Sequence, residues 1–146
     1  MGTLDAIARS NIYLDANLFI YHLEGFAEFA TILNRLFEKL DNGEAHGVTS
    51  ELTLAETLVK PLQQGNALVC STYEQFLRDS KALSVVPVSR QILIKAAELR
   101  ASSAMKLPDA IHFATAAEQG CSAYVTNDKR VKSLPTMPVL PLSELT

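Results

Sequence analysis

Ile12-Tyr13-Leu14-Asp15-Ala16-Asn17-Leu18-Phe19-Ile20 is the stretch from which the rest of this 146-residue chain can be read. Three apolar residues of high β propensity run directly into an aspartate, and apolar residues resume three positions later. Ile12-Tyr13-Leu14 reads as a strand and the segment from Asn17 as a helix, which puts Asp15 at the carboxyl end of the strand. A carboxylate set between core-forming segments needs hydrogen-bond partners or a counter-charge, because an isolated buried charge is strongly disfavoured.

Further along, Phe26, Phe29, Leu33, Leu36 and Leu40 recur at three- and four-residue steps and predict an amphipathic helix, stopped by Asp41-Asn42-Gly43. Gly47-Val48-Thr49 reads as a second strand. Ser50 then caps a helix with Leu54, Ala55, Leu58, Val59 and Leu62 on its apolar face. Another helix covers Ala67 to Leu77. Val85-Val86-Pro87-Val88 is a third strand whose proline marks an edge or an end. Ser89 caps a helix to about Arg100, and Leu107-Pro108-Asp109 opens one that Gly120 closes at its C′ position. Ala123-Tyr124-Val125 is a fourth strand, and Pro138-Val139-Leu140 a short last one at an edge. Strands alternating with helices form β-α-β units. The expected fold is α/β: a three-layer α/β/α sandwich around a mostly parallel sheet of four to five strands, with residues 1–146 as one domain.

Hydrophobic residues make up 48% of the chain and charged residues 20%, enough for a sizeable core and unlike a disordered chain. No apolar run approaches the roughly 20 residues of a membrane-spanning helix. The opening MGTLDAIARSN has no basic segment followed by an apolar one, so no secretory signal is expected. A soluble, cytoplasmic protein is the expectation. Cys70 and Cys121 cannot form a disulfide framework, lack zinc-type spacing and read as buried thiols. The net charge of −3 is uneven: residues 1–59 hold three basic and nine acidic side chains, residues 60–146 ten and seven. An acidic total argues against a coat on nucleic acid, but not against an enzyme with a basic rim around an acidic centre.

Ligands of parallel sheets bind beyond the carboxyl ends of the strands. Asp15 and Asp128 both fall there, Asp109 lies in the first turn of a helix, and Glu56 a turn and a half into another. Four carboxylates converging on one cleft would repel one another unless protonated or neutralised by a cation, and an all-oxygen donor set suits Mg²⁺ or Mn²⁺. His22, His46 and His112 are scattered without zinc spacing. Each acid also has a plainer reading: the helix dipole for Asp109, an Asx turn with Lys129 and Arg130 for Asp128, a solvated helix position for Glu56. Asn17 either caps the helix or fixes the Asp15 carboxylate or a nearby water, and the Thr126 hydroxyl can orient a carboxylate. Glu51 competes with Glu56, but five residues subtend about 140° on a helix, so both cannot enter one cleft. Glu56 is favoured, in part on the resemblance below. His112 reads as a partly buried helix residue before a substrate contact. Phe26, Phe29 and Phe37 read as core or dimer surface. Lys129, Arg130 and Lys132 form a short basic cluster that either attracts phosphate or is solvated loop.

The residues from Ile12 to Ile20 resemble the first motif of PIN domains. Thr53-Leu54-Ala55-Glu56 resembles the second, Leu107-Pro108-Asp109-Ala110-Ile111-His112-Phe113-Ala114-Thr115-Ala116 the third, and Tyr124-Val125-Thr126-Asn127-Asp128 the fourth. Order and spacing agree over nearly the whole chain, and the compact size looks most like VapC-type toxins of prokaryotic toxin–antitoxin pairs. The resemblance implies a metal-dependent endoribonuclease with Asp15, Glu56, Asp109 and Asp128 around Mg²⁺ or Mn²⁺. It also implies a homodimer and a small cognate antitoxin that occludes the active site.

On this reading Asp15 and Asp109 bind the main ion, while Glu56 and Asp128 bind a second or position water, and single-stranded or looped RNA enters the cleft. The rivals are a PIN ribonuclease of RNA processing without a toxin role, a haloacid dehalogenase-like phosphatase, and a non-catalytic RNA- or partner-binding module. The phosphatase requires a second aspartate two residues after the first, where this chain has Asn17. A pure binder gains nothing from a repulsive acidic cluster.

Overall fold

The computed structural model describes residues 3–131, 133–134 and 136–145. In chain order the elements are α1 (Thr3–Ala6), β1 (Asn11–Leu14), α2 (Ala16–Leu23), α3 (Ala30–Asp41), β2 (His46–Ser50), α4 (Glu51–Gln63), α5 (Ala67–Asp79), β3 (Leu83–Val86), α6 (Arg90–Ser102), α7 (Leu107–Glu118), β4 (Ala123–Thr126) and β5 (Val139–Pro141). Five strands form one sheet in the order β3-β2-β1-β4-β5, and every pairing is parallel.

Both faces of the sheet are covered, as a parallel sheet requires. Alternation along the strands assigns the faces. Ile12 and Leu14 of β1, with Ala123 and Val125 of β4, point into a core shared with Leu18, Phe19, Leu33, Leu36, Phe37, Tyr73 and Leu77 of α2, α3 and α5. Tyr13, Val48 and Tyr124 point the other way, against Phe113 and Ala116 of α7. Beyond them, α6 packs on α7 through Ile92, Ala96, Ala110 and Ala114. This is the three-layer α/β/α sandwich expected from the sequence. Ser50 and Ser89 cap α4 and α6 as expected, their hydroxyls accepting from the backbone N–H of Leu52 and Ile92. Gly120 follows α7 with φ +65°, a conformation that side chains rarely adopt. Cys70 and Cys121 are buried thiols.

Three expectations need correction. The third strand lies two residues earlier than Val85–Val88, since Pro87 has no N–H to offer the ladder and pairing with β2 runs from Leu83 to Val86. The helix expected from Phe26 begins at Ala30: α2 stops before Gly25 (φ +72°), a 3₁₀ turn covers Ala27–Phe29, and the exposed Phe26 packs with Phe29 around Tyr21. The buried face of α4 is Thr53, Thr57 and Pro61, whereas Val59 and Leu62 are exposed and Leu54 and Leu58 only half-buried. The threonines can be buried because their hydroxyls are used. Thr53 bonds Thr49 at 2.7 Å, Thr49 donates to the Leu14 carbonyl at 2.9 Å, and Thr57 donates to the Leu54 carbonyl at 3.0 Å.

Gly47 in β2 stands where a side chain has no room. A Cβ there would lie 2.6 Å from Leu83 Cδ2, 3.2 Å from Leu40 Cδ1 and 3.3 Å from the Ala82 carbonyl oxygen. Gly47→Ala is expected to lower unfolding stability by about 1–3 kcal/mol, and Gly47→Val by more, as read from urea denaturation midpoints.

Candidate active site

β1 is central, and the chain leaves it towards β2 and β3 before crossing back to β4 on its other side. The strand order therefore reverses between β1 and β4, which opens a crevice beyond their carboxyl ends. Asp15 follows β1 there, and Asp128 follows β4 by two residues.

Asp15 is buried and is itself the N-cap of α2, so Asn17 is not. One carboxylate oxygen accepts from the Ala16 N–H at 2.7 Å and the other from the Thr126 hydroxyl at 2.5 Å. Thr126 Oγ1 accepts in turn from the Asp128 N–H at 3.0 Å and from the Asn17 amide at 3.4 Å, while Asn17 Oδ1 accepts from the Asn127 N–H. Asn17 and Thr126 thus tie the loop after β4 to the start of α2. Thr126 touches the Asp15 carboxylate, and Asn17 acts one step removed.

Glu56 reaches inward from α4, where its Oε1 lies 2.5 Å from His112 Nε2. His112 Nδ1 lies 2.5 Å from the Tyr13 hydroxyl. In the neutral imidazole, Nε2–H donates to the carboxylate and Nδ1 accepts from the tyrosine. His112, expected to be partly buried or to meet substrate, is instead fully enclosed behind the carboxylates, because α7 packs its inner face on Tyr13. Glu51 sits in the first turn of α4, and Glu56 is the one of the two whose carboxylate meets His112.

The electrostatics tie the acids together. Burial pushes the Asp15 carboxyl up, opposed by the Thr126 hydroxyl, His112 and the Ala16 N–H, and the Glu56 charge adds to the rise. Asp109 is also raised, first by burial and next by Asp15; His112 opposes this, and Asp128 and Glu56 contribute to it. Asp128 behaves oppositely. Arg130 clamps it with Nε and a terminal nitrogen at 3.0 and 2.9 Å, its backbone N–H closes an Asx turn at 3.0 Å, and the carboxyl is held low, with a smaller contribution from Lys106. The plainer reading of Asp128 as an Asx-turn residue therefore describes its local geometry. Arg130 spends its guanidinium on Asp128, Lys129 is exposed, and Lys132 lies outside the described residues. Lys106, the N-cap residue of α7, was not singled out by spacing, although a cation directly before Leu107-Pro108-Asp109 was a visible signal.

Among the described residues, no three His, Cys, Asp or Glu side chains close on one point as a ligand cage. The donor chemistry nevertheless fits a hard divalent cation: carboxylate oxygens that raise one another's affinity for positive charge, with no thiol or free imidazole among them. Beneath them Tyr13, Tyr124 and Phe113 stack at 5.0 and 4.3 Å, and the buried Tyr124 hydroxyl finds no partner among the described residues.

The PIN-domain family model matches residues 12–136. No curated protein matches the chain by sequence. Similar solved structures include VapBC2 of Rickettsia felis bound to a promoter DNA fragment, with a TM-score of 0.70, 18% identity and coverage of 90% of this chain and 98% of that one. DNA-bound VapBC of Salmonella typhimurium gives 0.70, 19%, 91% and 98%. VapC20 of Mycobacterium tuberculosis, described as a toxin that cleaves the sarcin–ricin loop, gives 0.63, 19%, 77% and 86%. At these identities the likeness is one of fold. Among the described residues, no helix is long and apolar enough to cross a membrane.

The two tyrosines should separate in a denaturation experiment. Tyr13→Phe leaves His112 Nδ1 buried without its partner and is expected to cost about 1–3 kcal/mol, whereas Tyr124→Phe removes an unpaired hydroxyl and is expected to be neutral or stabilising.

Proposed function

This chain belongs to the PIN-domain family, and from that premise we propose that it is a divalent-cation-dependent endoribonuclease and the toxin of a type II toxin–antitoxin pair. The observation that carries the reading is the effect of three acids, Asp15, Glu56 and Asp128, on the carboxyl of a fourth, Asp109, beside the crevice where the strand order reverses. Residues 1–146 act on this proposal as one nuclease domain in the cytoplasm, with RNA as substrate. A small antitoxin and a second copy of the chain are its partners, by analogy with the toxin–antitoxin complexes that share its fold.

Asp15 and Asp109 would hold Mg²⁺ or Mn²⁺, with Glu56 and Asp128 as further carboxylates. A cation so held supplies Lewis acidity at a phosphodiester oxygen and lowers the pKa of a water. The chain's own residues set the geometry. Thr126 and the Ala16 N–H fix both oxygens of Asp15, so its rotamer is set before any substrate arrives. His112, locked by Tyr13, fixes Glu56 and leaves its other oxygen to accept a proton or orient a water. Arg130 holds Asp128 in its charged form, and Lys106 brings positive charge to the rim, where an RNA phosphate can approach.

Purified protein incubated with structured and single-stranded RNAs is expected to cleave them in Mg²⁺ or Mn²⁺ and not in EDTA. Thr126→Val should lose about 10–100-fold, as expected for residues that orient metal ligands, and Asp15→Asn more than that. Equal cleavage by Asp15→Asn would overturn the proposal, and RNA binding without cleavage would favour the non-catalytic module. In a separate measurement, Mg²⁺ or Mn²⁺ at a hundredfold excess over its Kd should stabilise the unmodified protein by about 2.7 kcal/mol in thermal melts and leave an Asp15→Asn/Asp109→Asn variant unchanged.

A further inference from the structure

A cleft of about 400 Å³ opens beside the carboxylates, between the turn joining α6 to α7 and the loop after β4. Its size lies within the roughly 300–1,000 Å³ of small-ligand sites. Asp109 belongs both to its wall and to the acidic cluster, so cleft and crevice are continuous. Met105, Val131 and Leu134 give it an apolar side. The same three pack on the Tyr13, Phe113 and Tyr124 core, so the wall is backed by buried aromatic rings. Lys106 and Arg130 line the same space, Arg130 with its guanidinium edge on Asp128.

This lining is unlike that of a pocket for a purely aliphatic ligand, which has no use for the Lys106 ammonium. A planar ring with a phosphodiester attached suits all of it. The apolar side takes the ring face, Met105 offers a polarisable sulfur, and the face of the Arg130 guanidinium, whose edge is held by Asp128, can stack on the ring. A phosphate on Lys106 would keep the backbone beside the carboxylates despite their charge.

We propose that this cleft is a nucleotide subsite, in which Met105, Val131 and Leu134 hold the base next to the scissile bond and Lys106 holds its phosphate. The inference rests on the ribonuclease reading for its place in the reaction. It makes the chain selective for a base at one position, in RNA whose bases can be splayed from the stack.

The test uses the full chain with ¹³C-labelled methionine methyls in EDTA, where Met105 reports on the cleft and buried Met137 serves as control. The probes are AMP, CMP, GMP, UMP and ribose 5-phosphate. At least one nucleotide should shift the Met105 signal and bind about tenfold or more tighter than ribose 5-phosphate, which lacks a base to stack. Lys106→Ala should weaken that nucleotide, and Ala104→Trp, which fills the cleft, should abolish the shift while keeping the cation-induced rise in melting temperature. In cleavage of oligoribonucleotides differing at one base, Ala104→Trp should flatten a preference of about tenfold or more. No Met105 shift with any nucleotide, an equal shift with ribose 5-phosphate, or unchanged binding by Ala104→Trp would each overturn the subsite. Asp15-dependent cleavage with those results would leave the nuclease reading standing. Base-selective binding without any RNA cleavage would leave the subsite and remove the nuclease.

Discussion

Keeping a negative charge on Asp15, at the end of a strand enclosed by apolar layers, is the constraint around which this structure is arranged. Burial alone would favour the neutral acid. The Ala16 N–H and the Thr126 hydroxyl oppose that effect, and each comes from an element the fold must place correctly: the first turn of α2 and the end of β4. The parallel pairing of β1 with β4, Leu14 opposite Val125, brings Thr126 to this position. A slip of one residue in that register would turn Thr126 to the other face and leave Asp15 with the helix N-terminus alone.

A second layer of polar groups extends the same solution into the core. Glu56, His112 and Tyr13 form a chain from the crevice to the underside of the sheet. Beside it, Thr53 and Thr49 link α4 to the Leu14 carbonyl. His112, Tyr13, Thr49 and Thr53 are buried, where an unpaired polar atom is costly and a fully paired network is rigid. Rigidity here serves the site: Asp15 and Glu56, on separate elements, are each held by a neighbour that is itself held. Asp128 is controlled differently. It lies nearer the surface, and its partner Arg130 is exposed.

Local features were legible because they follow from short-range chemistry. β1 and β4 appear as apolar runs ending in polar residues, Ser50 and Ser89 as caps, Gly120 as a stop, and the spacing of the four acids as a pattern that a parallel sheet collects at one edge. α4 shows the limit. Its most apolar residues suggested a Leu54–Leu58–Leu62 face, but the fold buries Thr53 and Thr57, since partners on β2 and within α4 take up their hydroxyls. Hydrophobic periodicity counts apolar side chains and cannot register a polar one whose partner lies on another segment.

The sequence by itself therefore determined the order of elements, the parallel sheet and the acids at its carboxyl edge, because propensity, capping and alternation act over a few residues. Only the tertiary structure decided that Asp15 caps its own helix, that His112 is held between Glu56 and Tyr13, that Arg130 clamps Asp128, and that Lys106 stands beside them. Each of those facts, apart from the clamp, joins groups far apart in the chain or sets the conformation of a cap. The clamp spans two residues but depends on where the loop after β4 is anchored. Proximity of that kind is created by packing, and packing is fixed by the whole core at once.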